Sequence, residues 1–133
     1  MVRILLAVTH TLFRAALQDY LLLPDEFFCG EAATSDELWS QLGSQHWHVL
    51  ILDMCLPDRT KLQTVRTVHD LYPQIPILAV SFSVAIETKY WQDAGASGFV
   101  SKAKLSTDLI EAVRVVSRGG KYFTDEGGME TRP

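Results

Sequence analysis

Apolar residues occur along the chain in short runs, and each run is followed by a segment with apolar residues at helical spacing. Short apolar runs are typical of strands buried on both faces of a parallel sheet, and the helical spacing is typical of amphipathic helices. The predicted strands are Arg3 to Val8, Phe27 to Ala32, Val49 to Met54, Ile75 to Phe82 and Ser97 to Lys102.

The segments between these runs carry signals for the start and end of helices. Thr34 and Glu37 have the spacing of a capping box, which predicts that the second helix begins there. Ser83 is a predicted cap of the fourth helix, and the pair Ala94-Gly95 is predicted to end it. On the first helix, the apolar positions predicted to face the sheet are Phe13, Ala16, Leu17, Tyr20 and Leu21.

Regular alternation of strands and helices with short links predicts an α/β fold. The expected architecture is a doubly wound, five-stranded parallel sheet with helices on both faces, because such links make right-handed crossovers. The expected strand order is the flavodoxin-like 2-1-3-4-5. The 133 residues suffice for one domain, predicted to span residues 1–123. Residues 124–133 are polar and contain glycine, so they are predicted to be a tail or linker.

Composition narrows the classes of function. Hydrophobic residues make up 47% of the chain, and the net charge of -4 comes from mixed acidic and basic residues, so no basic nucleic-acid surface is expected. The two cysteines suggest a reducing compartment and no disulfide framework. The N-terminal apolar run is too short for a membrane span. We expect a cytoplasmic domain without membrane contact.

Candidate chemistry lies where the predicted strands end. In the expected strand order, the carboxyl ends of the first and third strands meet, which brings Val8 and Thr9 next to Asp53. Ser81 and Lys102 end the fourth and fifth strands and face the same crevice. A carboxylate, a hydroxyl and an ammonium suit phosphoryl transfer to Asp53. Two alternatives are a plain Asp53–Lys102 ion pair with Ser81 as a capping hydroxyl, and a site for a small anion or metabolite.

Four motifs give the chain from Val2 to Phe123 a family resemblance. They are L-I-L-D-M-C-L-P around Asp53, I-P-I-L-A-V-S ending at Ser81, A-G-A-S-G-F-V-S-K ending at Lys102, and G-G-K-Y-F. Together they resemble a response-regulator receiver domain of the branch joined to NarL/LuxR-type helix-turn-helix domains. The resemblance implies that Asp53 is the phospho-acceptor for a histidine kinase, Ser81 the switch hydroxyl, Lys102 the pocket lysine and Phe99 the switch aromatic residue.

The chain also departs from the pattern of that family. Receivers usually place two acidic residues after the first strand, where this chain has Val8 and Thr9. Mg²⁺ requires oxygen ligands that usually include one or two carboxylates, so we expect no metal or other cofactor here. Lys61 occupies a position where the family usually has glycine, which adds positive charge to the loop after Asp53.

These features predict an atypical, non-enzymatic receiver domain of a transcriptional regulator. It is expected to signal through dimer or partner contacts, independently of phosphorylation and Mg²⁺. The alternative is a receiver that accepts phosphate on Asp53 with bound Mg²⁺. The expected partners are a second copy of the chain and a histidine kinase, with DNA bound only through a helix-turn-helix domain after residues 124–133. Tyr90 and Trp91 are predicted to form a partner surface, or one of them packs in the core.

Overall fold

The computed structural model describes residues 1–81, 88–124 and 130–131. Within these ranges the strands are β1 (Val2–Val8), β2 (Phe27–Ala32), β3 (Val49–Asp53), β4 (Ile77–Ser81), β5 (Gly98–Ser101), β6 (Tyr122–Thr124) and β7 (Glu130–Thr131). The helices are α1 (Thr11–Leu21), α2 (Ser35–Ser44), α3 (Lys61–Leu71), α4 (Thr88–Ala94) and α5 (Leu105–Ser117). A short 3-10 helix, Lys102–Lys104, links β5 to α5.

The described strands form one sheet in the order β2-β1-β3-β4-β5-β6-β7. Strands β1 to β5 are parallel and follow the predicted order, which confirms the α/β doubly wound fold. The prediction of only five strands is wrong, because β6 pairs parallel with β5 and β7 pairs antiparallel with β6. Strand β6 has three residues, which are too few to form an apolar pattern that predicts a strand. Its pairing with β5 depends on the buried Tyr122 and Phe123.

Two predicted features are only partly described. Ser83, the predicted cap of the fourth helix, lies outside the described residues. Within residues 124–133, Thr124 ends β6 and Glu130–Thr131 forms β7, so these residues pair with the sheet. The function of this segment as a linker stays a prediction.

The core lies on both faces of the sheet because consecutive residues of each strand point to opposite sides. All five residues of β3 and all five of β4 are buried. Leu50 and Leu52 of β3 belong to one core cluster, together with buried residues of α2, α3 and α4. Val49 and Ile51 belong to the other, together with residues of α1 and α5. The long apolar runs in the sequence therefore reflect strands covered on both sides.

Helix α1 buries a narrower stripe than its sequence suggests. Leu17 and Leu21 are buried and Phe13 is half-buried, which is a spacing of one helical turn. Ala16 and Tyr20 were predicted to face the sheet, but they are exposed. Both lie one position before a buried leucine, about 100° around the helix, and therefore point away from the core.

Local capping sets where two of the helices begin. Thr34 Oγ1 accepts from the backbone N–H of Glu37 at 3.2 Å, which is one of the two hydrogen bonds of the predicted capping box, while Glu37 itself bonds to the residue before Thr34. Glu37 Oε1 accepts from the backbone N–H of Ala33 at 2.7 Å. Thr60 and Gln63 form a full capping box at the start of α3. Among the described residues, none of the helices is both long and apolar enough to cross a membrane.

Candidate functional site

The carboxyl edge of the sheet brings the predicted site residues together. Val8 and Asp53 are register partners at the ends of β1 and β3, and Ser81 ends β4 opposite Ser101 of β5. Lys102 follows β5 directly. Parallel strands end at the same edge, so residues far apart in sequence share one pocket.

The Asp53 carboxylate lies between two lysines. Lys102 Nζ is 2.8 Å from Oδ2, and Lys61 Nζ is 2.5 Å from Oδ1. The Asp53 side chain is 6% exposed and that of Lys102 is 8% exposed, whereas that of Lys61 is 36% exposed. The ion pair between Asp53 and Lys102 agrees with one of the predicted alternatives. The contact with Lys61 was not predicted, although the unusual lysine at this position was visible in the sequence.

The ring of Phe13 completes the surroundings of Lys102. Lys102 Nζ lies 3.9 Å from the centroid of this ring, within the range of a cation–π interaction. Phe13 is half-buried on α1, so the ammonium is held between an aromatic face and a carboxylate. This arrangement leaves the Lys102 ammonium little exposure to solvent.

Val8 and Thr9, which stand where an acidic pair was expected, supply no carboxylate to the pocket. Val8 is fully buried among apolar side chains, and its carbonyl accepts from Arg14 Nη1 at 2.7 Å. Thr9 is exposed, and its backbone N–H donates to the carbonyl of Asp53 at 3.5 Å. The next residue, His10, caps α1 through Nδ1, which accepts from the backbone N–H of Phe13 at 3.3 Å.

A hard divalent cation does not fit this pocket while Lys61 and Lys102 both contact Asp53. Such a cation needs several oxygen ligands, and the described part of the chain contains no cluster of three or more His, Cys, Asp or Glu side chains that could hold a metal. Each oxygen of the Asp53 carboxylate already contacts an ammonium. A cation at Asp53 would be repelled by both lysines.

The predicted switch residues lie in the interior. Ser81 is 3% exposed at the end of β4, and Phe99 is 3% exposed on β5. The Phe99 ring stacks on Trp91 of α4, with ring centroids 5.3 Å apart and planes 15° apart. Trp91 is 1% exposed and therefore cannot belong to the predicted partner surface. Its apolar bulk faces the sheet, so the alternative of core packing holds for this residue.

Among the exposed apolar side chains of the described residues, some border two surface grooves. Tyr90 is 48% exposed and lines a groove of about 280 Å³ between α3 and α4. Leu12 on α1 and Leu23, two residues after α1 ends, are each 74% exposed. Tyr20 and Leu23 border a second groove of about 350 Å³. Tyr20 was predicted to face the sheet, so the exposed surface of α1 was not predicted.

A doubly wound parallel sheet, with an aspartate at the end of its third strand and a lysine after its fifth, defines a receiver-type signalling domain. The profile of the response regulator receiver domain matches residues 4–114, and the chain belongs to that family. The chain is therefore a receiver domain of the kind found in response regulators.

Curated relatives are regulatory proteins that are longer than this chain. The transcriptional activator protein ExaE of Pseudomonas putida is 32% identical over 125 residues, covering 90% of this chain and 57% of the relative. The response regulator protein VraR of Staphylococcus aureus is 23% identical over 127 residues, covering 94% of this chain and 61% of the relative. The chain thus spans less than two thirds of the length of these relatives.

Solved structures support the fold. The isolated receiver domain of RcsB from Salmonella enterica serovar Typhimurium superposes with a TM-score of 0.82 at 24% identity, covering 95% of this chain and 94% of that one. A LuxR-family two-component response regulator from Aurantimonas sp. gives a TM-score of 0.80 at 20% identity, covering 94% and 90%. At these identities the likeness concerns the fold alone.

Proposed function

We propose that this receiver domain is atypical and signals through protein contacts, without phosphorylation of Asp53 and without Mg²⁺. The observation that supports the proposal is the pairing of both Asp53 oxygens with lysine ammoniums, Lys61 at 2.5 Å and Lys102 at 2.8 Å. An oxygen in contact with an ammonium is a weakened nucleophile, because its lone pairs are engaged with a cation.

The missing acidic pair supports the same proposal. Phosphoryl transfer depends on electrostatic stabilisation of the transferred group, and a metal ion commonly supplies several kcal/mol of it. Losing that contribution slows the reaction by about 10³-fold or more. Val8 is buried and apolar, so it offers no ligand that would restore the contribution.

The names of two relatives support a proposal for the output of the whole protein. ExaE is named a transcriptional activator protein, and DegU of Brevibacillus brevis a transcriptional regulatory protein. We propose that this domain controls a DNA-binding domain in a cytoplasmic regulator, that the contacting partner is a second copy of the chain, and that DNA is not bound by the receiver itself. A histidine kinase is the partner only in the alternative, where Asp53 accepts phosphate.

Labelling with small phosphodonors tests the proposal. The protein is incubated with MgCl₂ and acetyl phosphate, and the intact mass is followed over time, with Asp53→Asn as the control for site specificity. We expect no Asp53-dependent addition of a phosphoryl group. A triple variant with Val8→Asp, Thr9→Asp and Lys61→Gly serves as the positive control, and it should be labelled at least about 10³-fold faster.

Beryllofluoride gives an independent readout of the same question. It imitates a phosphoryl group on a carboxylate, and Trp91 reports on the pocket side of the domain because it stacks on Phe99. Tryptophan emission of the natural sequence should not change on titration with beryllofluoride and MgCl₂. Saturable, Asp53-dependent labelling or quenching would contradict the proposal and support the phosphorylatable alternative.

A further inference from the structure

The first residue of α3 is held in a fixed position by its neighbours. Gln63 Oε1 accepts from the backbone N–H of Thr60 at 2.9 Å, and Thr60 Oγ1 accepts from that of Gln63 at 3.1 Å. Thr64 is fully buried, and its Oγ1 donates to the Thr60 carbonyl and accepts from the Leu56 N–H. The backbone at Lys61 is therefore set by a capping box and a buried threonine, and its side chain starts from a defined point above the sheet edge.

A lysine at this position is unfavourable for the helix alone. The amino end of a helix carries a partial positive charge, which favours acidic side chains there by about 0.3–1 kcal/mol each and disfavours basic ones. The first turn of α3 contains no acidic residue. The chain therefore places a cation where the helix dipole repels it, which requires compensation from outside the helix.

Asp53 provides that compensation. Its Oδ1 is buried, and the Lys61 ammonium at 2.5 Å supplies its counter-charge. A buried carboxylate oxygen without a counter-charge is costly, because water is excluded from it. Lys102 compensates the other oxygen, Oδ2, so the two lysines act on different atoms.

We propose that Lys61 is a built-in counter-cation of Asp53, a tethered ammonium at the oxygen that a divalent cation would otherwise contact. Because Lys61 supplies the counter-charge of Asp53, the stability of the domain does not depend on free metal ions. The same ion pair holds the start of α3 at the end of β3. The inference rests on the proposed function in one respect, because both place no metal ion at Asp53. Beyond the proposed function, Lys61 is assigned the place of the metal ion. Its loss should lower the stability of the domain, and this effect does not involve phosphorylation.

The dependence of the unfolding temperature on the Mg²⁺ concentration tests this inference. Thermal unfolding is measured over a range of MgCl₂ concentrations, against KCl at equal ionic strength. The Tm of the natural sequence should not depend on Mg²⁺. Lys61→Ala should raise the unfolding equilibrium constant by about tenfold, because Asp53 loses one counter-charge in a partly exposed pair. Millimolar Mg²⁺ should recover part of that loss, since a ligand that binds only the folded state stabilises it.

Three further variants make the result specific. Arg59→Ala removes an exposed cation two residues from Lys61 and should behave like the natural sequence. Lys61→Arg retains a cation and should stay independent of Mg²⁺. Lys61→Met keeps the apolar stem and loses only the charge, so it should show the Mg²⁺ response even if Lys61→Ala does not fold.

Opposite outcomes would overturn the inference. If both Lys61→Ala and Lys61→Met are as stable as the natural sequence and do not respond to Mg²⁺, Lys61 is not the counter-cation of Asp53. A rise in Tm with Mg²⁺ in the natural sequence, equal to that of Lys61→Met, would have the same meaning. Phosphoryl labelling of Asp53 in the natural sequence would contradict the proposed function. It would not contradict the inference about Lys61, because labelling does not alter the stability measurement.

Discussion

Single side chains decide how the carboxyl edge of this sheet behaves. The side chains of Asp53 and Lys102 are both buried, so removing Asp53 takes a counter-charge from Lys102, and removing Lys102 leaves Asp53 with the Lys61 ammonium alone. Lys61 is more exposed, and its contribution is smaller because water screens it. Phe13 limits the positions open to Lys102 by lying under its ammonium. The pocket is therefore defined by four side chains from β3, α1, α3 and the turn after β5.

A histidine at the opposite end of the sheet makes stability depend on pH. His48 Nδ1 accepts from the backbone N–H of Arg3 at 2.8 Å, and the backbone N–H of His48 donates to the Arg3 carbonyl at 2.8 Å. Burial lowers the pKa of His48 below its usual value of 6.5, and the nearby His46, N-terminal ammonium and Arg3 lower it further. The unfolded chain therefore binds a proton more readily than the folded chain below about pH 6.5, and protonation removes the acceptor at Nδ1.

We expect the free energy of unfolding to fall as the pH decreases from 7.5 to 5.5. The stability contributed by neutral His48 is present above pH 6.5 and is lost as the pH falls toward the lowered pKa of the folded state. Urea denaturation at a series of pH values measures this. His48→Asn retains an acceptor and does not titrate, so it should flatten the curve. An unchanged slope in His48→Asn would assign the dependence to other groups.

At the scale of elements, the close approach of β5 and β6 requires a residue without a side chain. A Cβ built on Gly98 would lie 2.5 Å from the carbonyl oxygen of Tyr122 and 2.9 Å from Leu78. The backbone of Tyr122 cannot move away easily, because its N–H donates to the Ser97 carbonyl at 3.0 Å. Gly98 is thus the position that allows the sixth strand to join the sheet.

Two alanine substitutions should therefore have opposite effects. Gly98→Ala should destabilise the domain by about 1–3 kcal/mol, because the added methyl group overpacks the β5–β6 contact. Gly43→Ala should stabilise it by up to about 1 kcal/mol, because Gly43 is exposed on α2 and the nearest atom to the added Cβ is the Tyr72 hydroxyl at 3.8 Å. Denaturant unfolding measures both. Equal effects of the two substitutions would show that the contact at Tyr122 is not tight.

At the scale of the whole molecule, the exposed apolar side chains suggest how the domain contacts a second copy. Leu12 and Tyr20 are exposed on α1, and Leu23 is exposed two residues after the helix ends at Leu21. Grouped apolar side chains of this kind are uncommon on monomers, and aromatic residues are frequent anchors of interfaces. A symmetric dimer would bury the α1 faces of both copies against each other.

Sedimentation equilibrium tests this interface. We expect a reversible dimer whose Kd rises at least tenfold in the double variant Leu12→Ser with Leu23→Ser, because two largely exposed leucines no longer lose water on association. Leu71→Ser is the matched control, since Leu71 is 61% exposed at the end of α3. Dimerisation unaffected by the double variant, or weakened equally by Leu71→Ser, would place the interface elsewhere.

The sequence by itself determined the fold and the location of the site. Apolar runs such as Val49–Asp53 mark strands covered on both faces, and their alternation with helices allows few connections. Parallel strands end at one edge, so the positions of Asp53, Ser81 and Lys102 after their strands were enough to bring them together. The family motifs then indicated the class of protein.

Only the tertiary structure decided which side chains meet and which face outward. The pairing of Lys61 with Asp53 depends on the path of the loop after β3 and on the residue at which α3 begins, and no local pattern encodes that distance. Trp91 and Tyr90 are adjacent and both aromatic, yet one packs on Phe99 and the other is exposed. Side-chain direction is set by how a helix is rotated against the sheet, which is a property of packing between elements distant in sequence.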